Sequence, residues 1–183
     1  MSEPGNMENQ LTPGELEAFV SCFKKNFHPL TWFVIRAGAS VTEAPDVVQE
    51  AMLAALKSWA TVQNPRAFLH TAALRILHRR WDKAKQEHAA HQRIAQETSA
   101  TAFDMRLDVN VNLDVADVLS LLRELPQAQR EAFALHADGF TPPEIAEITG
   151  QKASTARSNV RHARQKLLRM IEESTRKEAG DGP

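Results

Sequence analysis

The chain has 183 residues, with 22 Lys and Arg against 23 Asp and Glu, a net charge of −1 and 43% hydrophobic residues. That balance fits one ordinary domain or two small ones and excludes wholesale disorder. A single cysteine, Cys22, excludes an internal disulfide and most zinc sites, and no apolar run approaches the ~18 residues of a membrane-spanning helix. The acidic, polar start has no secretory-leader pattern, so a cytoplasmic location without membrane insertion is expected.

One hundred residues without glycine separate Gly38 from Gly139, and tyrosine is absent. Apolar residues recur at steps of three and four rather than two, so the expected fold class is all-α. Thr12, Pro13 and Glu15 form a capping box that opens the first helix, with Leu16, Phe19, Val20, Phe23 and Phe27 on one stripe. A separate short helix is expected after Pro29, carrying Trp32, Phe33 and Ile35 and stopping at Gly38. The next helix starts near Pro45 and buries Val48, Met52, Ala55, Leu56 and Trp59. Asn64-Pro65 starts another, with Phe68, Leu69, Ala72, Ala73, Ile76 and Leu77 inward. These elements make a four-helix first domain over residues 12–85.

Residues 86–113 carry no sustained stripe. Over 85–117 three basic residues stand against six acidic ones, which reads as a flexible acidic linker. The second domain spans 114–174. Its first helix carries Val115, Val118, Leu119, Leu122 and Leu125 and ends at Pro126. A second, with Ala132, Phe133 and Leu135, ends at Gly139. Thr141-Pro142-Pro143-Glu144 then starts a short helix closed by Gly150, and a long basic helix follows from about Ser154 to Glu173.

Residues 142–161 have the packing pattern of a helix-turn-helix. Ala146 is small where two helices cross, Gly150 reverses the chain, and Ala156 and Val160 are apolar on the inner side of the second helix. Ser154, Thr155, Arg157, Ser158, Arg161, His162 and Arg164 are left to face a major groove. From Gln151 to Ile171 there are six basic residues and no acid, a local charge suited to phosphates.

A second basic cluster comprises Arg75, Arg79, Arg80, Lys83 and Lys85 with Trp81 interleaved. Such a set suits an unpaired strand, whose phosphates take the charge and whose bases take the ring face. Packing of Trp81 into the bundle is the alternative. Asp46 and Glu50 stand four apart beside Val47 and Gln49, which suggests an acidic protein-docking face with an exposed valine rather than acid–base catalysis. His88 and His91 lack the further ligands of a metal site, Cys22 reads as a packed thiol, and no nucleophile or phosphate loop is visible. No enzyme, metal or cofactor is expected.

Five segments carry a resemblance: Ala44–Ala51, Asn64–Leu69, Leu125–Glu131, Glu144–Gly150 and Ala163–Leu167. In this order and spacing they resemble an extracytoplasmic-function bacterial sigma factor of the sigma-70 family, over about 14–85 and 115–172. The resemblance implies a protein reduced to regions 2 and 4. It would bind core RNA polymerase, direct it to promoter DNA, and be held by an anti-sigma factor. It also implies that Asp46, Val47, Gln49 and Glu50 dock on the polymerase clamp. Arg75, Arg79, Arg80, Trp81 and Lys83 would then meet the melted −10 element, and residues 152–164 would read the −35 element. A stand-alone helix-turn-helix regulator is the alternative function.

Overall fold

The computed structural model describes residues 11–94 and 113–180. Among these residues it contains seven α-helices, one 3-10 turn at Trp59–Thr61 and no strand. The helices are α1 (Pro13–Ala37), α2 (Ala44–Lys57), α3 (Pro65–Ile94), α4 (Leu113–Arg123), α5 (Gln127–Ala137), α6 (Pro142–Thr149) and α7 (Ala153–Gly180).

Local signals fix most of the ends. Thr12 Oγ1 accepts from the Glu15 N–H at 3.3 Å, while the Glu15 carboxylate accepts from the Thr12 N–H at 2.8 Å. These bonds hold the Glu15 carboxyl below its usual pKa. Asn64 Oδ1 accepts from the Ala67 N–H at 3.1 Å and opens α3 in the same manner. Gly38 ends α1 in the left-handed region at φ +119°, and its N–H bonds the Ile35 carbonyl.

Two expectations about local structure need correction. Pro29 does not divide two helices; it lies inside α1, which runs unbroken from Pro13 to Ala37. Proline removes one backbone bond there. Burial of Leu30, Phe33 and Val34 just beyond it holds the following turns in helical register. Likewise α3 continues to Ile94, so residues 86–94 of the span expected as linker are helical. The remainder of the expected linker lies outside the described residues.

Leu30, Phe33 and Val34 of α1, Val47, Val48, Ala51 and Met52 of α2, and Leu69, Ala73 and Leu77 of α3 fill the first unit. Each fully buried Val, Leu or Phe contributes roughly 1.5–3 kcal/mol. The second unit packs Leu119, Leu122, Leu125 and Leu135 against Ile145, Ala156, Val160 and Ala163. The expected apolar stripe of α1 is another matter. Leu16, Val20 and Phe23 are exposed, and Phe19 and Phe27 are half-buried, with the Phe19 ring edge-on to Trp59 at 5.2 Å.

The two units do not stand apart. α5 lies on the C-terminal end of α1, α6 lies on α3, and the buried apolar residues of both units form one continuous core.

Candidate nucleic-acid and polymerase interfaces

The helix-turn-helix is built from α6, its turn and the start of α7. The Thr141 N–H and hydroxyl donate to Glu144 Oε2 at 2.7 and 2.6 Å, fixing the start of α6 and lowering the pKa of the Glu144 carboxyl. Gly150 turns the chain at φ +68°, and the Gln151 N–H reaches back to the Ala146 carbonyl. Asn159 Nδ2 donates to Gln151 Oε1 at 3.1 Å, tying the turn to the second turn of α7. Ala146, Ala156 and Val160 are buried where the helices cross. Ser154, Thr155, Arg157, Arg161, His162 and Arg164 are exposed on α7 and Ser158 is half-buried, so the expected base-reading set occupies one accessible face.

Along α3, Arg75, Arg79 and Lys83 are exposed, whereas Arg80 and Trp81 are half-buried. Arg79 donates to Glu50 at 3.3 Å, and Arg80 pairs with the other oxygen of the same carboxylate. The acidic face of α2 and the basic face of α3 are therefore neighbours joined through Glu50. Asp46 and Gln49 are exposed as expected. Val47 is not: it is 0% exposed inside the first unit, as is Val48. On a helix whose inner stripe runs through positions 44, 47, 48, 51, 52 and 55, Val47 falls on the core side, so it cannot meet a partner.

A third cluster joins the two units. Asp138, just past α5, is held from the first unit by Arg36 and by His70, whose Nε2 lies 2.9 Å from Oδ2. Arg66 donates to the Asp138 carbonyl and stacks its guanidinium 4.3 Å over the Phe140 ring. The His70 ring, 5% exposed, sits between Phe33 and Phe140 at centroid distances of 4.5 and 4.8 Å. Arg130 donates from Nε to the Ala37 carbonyl at 2.9 Å and lies 5.9 Å from the Trp81 ring. Its burial lowers the pKa of its guanidinium. Glu131, 4% exposed, accepts from Gln127 at 2.9 Å and lies 2.7 Å from His78 Nε2. That bond raises the His78 pKa despite partial burial. Trp81 thus packs beside His78 and Arg130.

Sequence reasoning missed Arg36, Arg66, Arg130, Glu131 and Asp138. One signal was present: Glu131 lies four residues before Leu135 on the inward stripe of α5, where a carboxylate requires a partner. The remaining side features are structural. Cys22 Sγ accepts from Asn26 at 3.4 Å, and burial pushes its thiol pKa up. Among the described residues no group of His, Cys, Asp and Glu could hold a metal ion; the side chains of His88 and His91 lie outside them. No helix among the described residues is long and apolar enough to cross a membrane.

Family models for sigma-70 region 2 and sigma-70 region 4 match residues 22–87 and 116–167. The chain is 29% identical over 143 residues to the ECF RNA polymerase sigma factor EcfG of Rhodopseudomonas palustris, covering 76% of this chain and 77% of that protein. It is 32% identical over 145 residues to the ECF RNA polymerase sigma factor SigJ of Mycobacterium tuberculosis, covering 70% of this chain but 43% of that longer protein. In fold it is similar to the sigma factor RpoE of Bartonella quintana, solved with the anti-sigma factor NepR. The TM-score is 0.66 at 23% identity, covering 85% of this chain and 98% of that one. It is also similar to CnrH, solved with the cytosolic domain of CnrY. There the TM-score is 0.63 at 22% identity, covering 86% and 90% of the two chains.

Proposed function

The chain belongs to the sigma-70 family as an RNA polymerase sigma factor of the extracytoplasmic-function type, and on that premise we propose how its surfaces divide the work. Residues 12–85 serve as region 2 and residues 114–174 as region 4. Ser154, Thr155, Arg157, Ser158, Arg161, His162 and Arg164 read the −35 element from the major groove. Arg75, Arg79, Arg80, Trp81 and Lys83 receive the −10 strand. Asp46, Gln49 and Glu50 dock on core polymerase. The protein has no catalysis of its own.

The observation that carries this reading is the base-facing side of α7. Six of its seven nominated side chains are exposed, while Ala156, Val160 and Ala163 anchor the opposite side in the core. Such a helix presents donors to base edges without disturbing its own packing. An anti-sigma factor is a proposed partner, by analogy with the relatives solved in complex with NepR and CnrY.

Run-off transcription with purified bacterial core polymerase on a library of genomic promoter fragments tests the reading. Discrete transcripts that depend on this chain, with start sites sharing −35 and −10 sequences, are expected. Stable core binding without transcripts would indicate an inhibitory mimic, and absence of both would return the chain to stand-alone regulators.

A further inference from the structure

The N-terminal half of α1 carries an apolar face that no other described element covers. Leu16, Val20 and Phe23 are 51%, 41% and 37% exposed, and the half-buried Phe27 continues the row, its ring 5.2 Å from that of Phe23. The row stops before Pro29, and from Leu30 onward α1 turns its apolar residues into the first unit. Single exposed apolar residues are ordinary, but these four, at steps of four, three and four, form one stripe about 17 Å long.

Those steps are the d, a, d and a positions of a seven-residue repeat. Glu17 and Lys24 then both take the e position, seven residues apart on the same side of the stripe. Both are exposed, and neither has an ion-pair partner among the described residues. The other flank holds Phe19, edge-on to Trp59, and Asn26, which donates to the Cys22 carbonyl. An acid and a base on one flank make a self-complementary pattern. In an antiparallel pair of identical helices, e faces e of the other copy, so Glu17 meets Lys24 and Lys24 meets Glu17. The register that does this also sets Val20 against Phe23 of the other copy and Leu16 against its Phe27. Charge and packing thus agree on one alignment. A parallel pair would set e against g, where Phe19 and Asn26 offer neither charge.

We propose that the α1 stripe is a self-association surface, on which a second copy of this chain docks antiparallel about a twofold axis passing between Val20 and Phe23. The interface is isologous, so every contact occurs twice. A stripe of this length lies below the ~1,200 Å² of a standard interface, so the dimer is transient and forms as concentration rises. It uses none of the residues assigned above to promoter or polymerase, so the pairing stands whether or not those roles hold.

Sedimentation equilibrium of the full chain at low salt reads the pairing directly. Wild type should shift from monomer to dimer with increasing concentration. Glu17→Lys and Lys24→Glu should each raise the dissociation constant about tenfold, because two exposed attractive pairs become two repulsive ones. The double variant Glu17→Lys/Lys24→Glu should regain the wild-type constant, since both pairs return with their signs exchanged. Val20→Asp, which sets a charge beside the axis, should stay monomeric. All these positions are exposed, so circular dichroism should show wild-type helix content. A wild type that remains monomeric would overturn the pairing and leave the stripe to another segment of this chain or to a different protein. Dimers indifferent to all three single substitutions would place association on another face. Weakened single variants without recovery in the double one would overturn the antiparallel register.

Discussion

At the residue scale, Gly38 meets two demands at once. Its φ of +119° lies where a Cβ is strained, and a Cβ there would approach Arg130 Nη2 to 2.7 Å. Gly38→Ala is expected to destabilise the protein by about 1–2 kcal/mol from the backbone alone, and further by displacing Arg130 from the Ala37 carbonyl. A urea midpoint equal to wild type would show that both constraints relax freely. His78 makes a different prediction. Its pKa is raised because Glu131 takes its hydrogen bond, so protonation favours the packed state. That contribution is full below the ordinary histidine value of about 6.5 and is lost as pH rises through the elevated one. Wild type should therefore lose more stability than His78→Gln between pH 6 and pH 8.5, and parallel pH profiles would exclude this pair as the cause. Arg161→Ala bears on recognition instead. It should weaken binding to the preferred −35 sequence by roughly 1–3 kcal/mol if the guanidinium meets a base edge. Equal loss on every promoter would confine the side chain to phosphates.

At the element scale, helix starts were legible because capping is local chemistry. Thr12 and Glu15, Asn64 and Ala67, and Thr141 and Glu144 lie three residues apart, and each set closes as its spacing requires. The helix-turn-helix was legible for the same reason, since Ala146, Gly150, Ala156 and Val160 answer a packing geometry within about fifteen residues. Where tertiary burial overrides local preference, the sequence misled. Pro29 reads as a break, yet the packed turn beyond it keeps α1 whole. Val47 reads as part of an exposed acidic segment, yet the helical period of α2 places it on the inner stripe. Two neighbouring residues of α2 give a paired test of the docking face. Asp46→Arg should abolish binding to core polymerase with thermal stability near wild type, because the residue is exposed. Val47→Asp should lose both, since an unpaired carboxylate in the core costs several kcal/mol. Retained core binding by a folded Asp46→Arg protein would take α2 out of the interface.

At the scale of the whole molecule, the joining of the two units was not legible. Arg36 and Asp138 lie 102 residues apart in the chain, His70 and Asp138 68, and His78 and Glu131 53. No spacing rule links such pairs, and a charged residue looks the same in sequence whether it faces water or a partner unit. Yet these contacts have a thermodynamic consequence. Units of 60–80 residues bury only about 60% of their unfolded surface and are marginal alone, so a shared core should make them unfold together. The coupling is nevertheless incomplete in its polar chemistry. Among the described residues Arg36 Nε is buried without a hydrogen-bond partner, a cost of about 1–3 kcal/mol. A single calorimetric transition is therefore expected for wild type, with calorimetric and van't Hoff enthalpies equal. Arg130→Ala, which removes the tie to the Ala37 carbonyl and the contact with Trp81, should split that transition or raise the enthalpy ratio above one. Two transitions already present in wild type, unchanged by the substitution, would mean that the packed units do not stabilise each other.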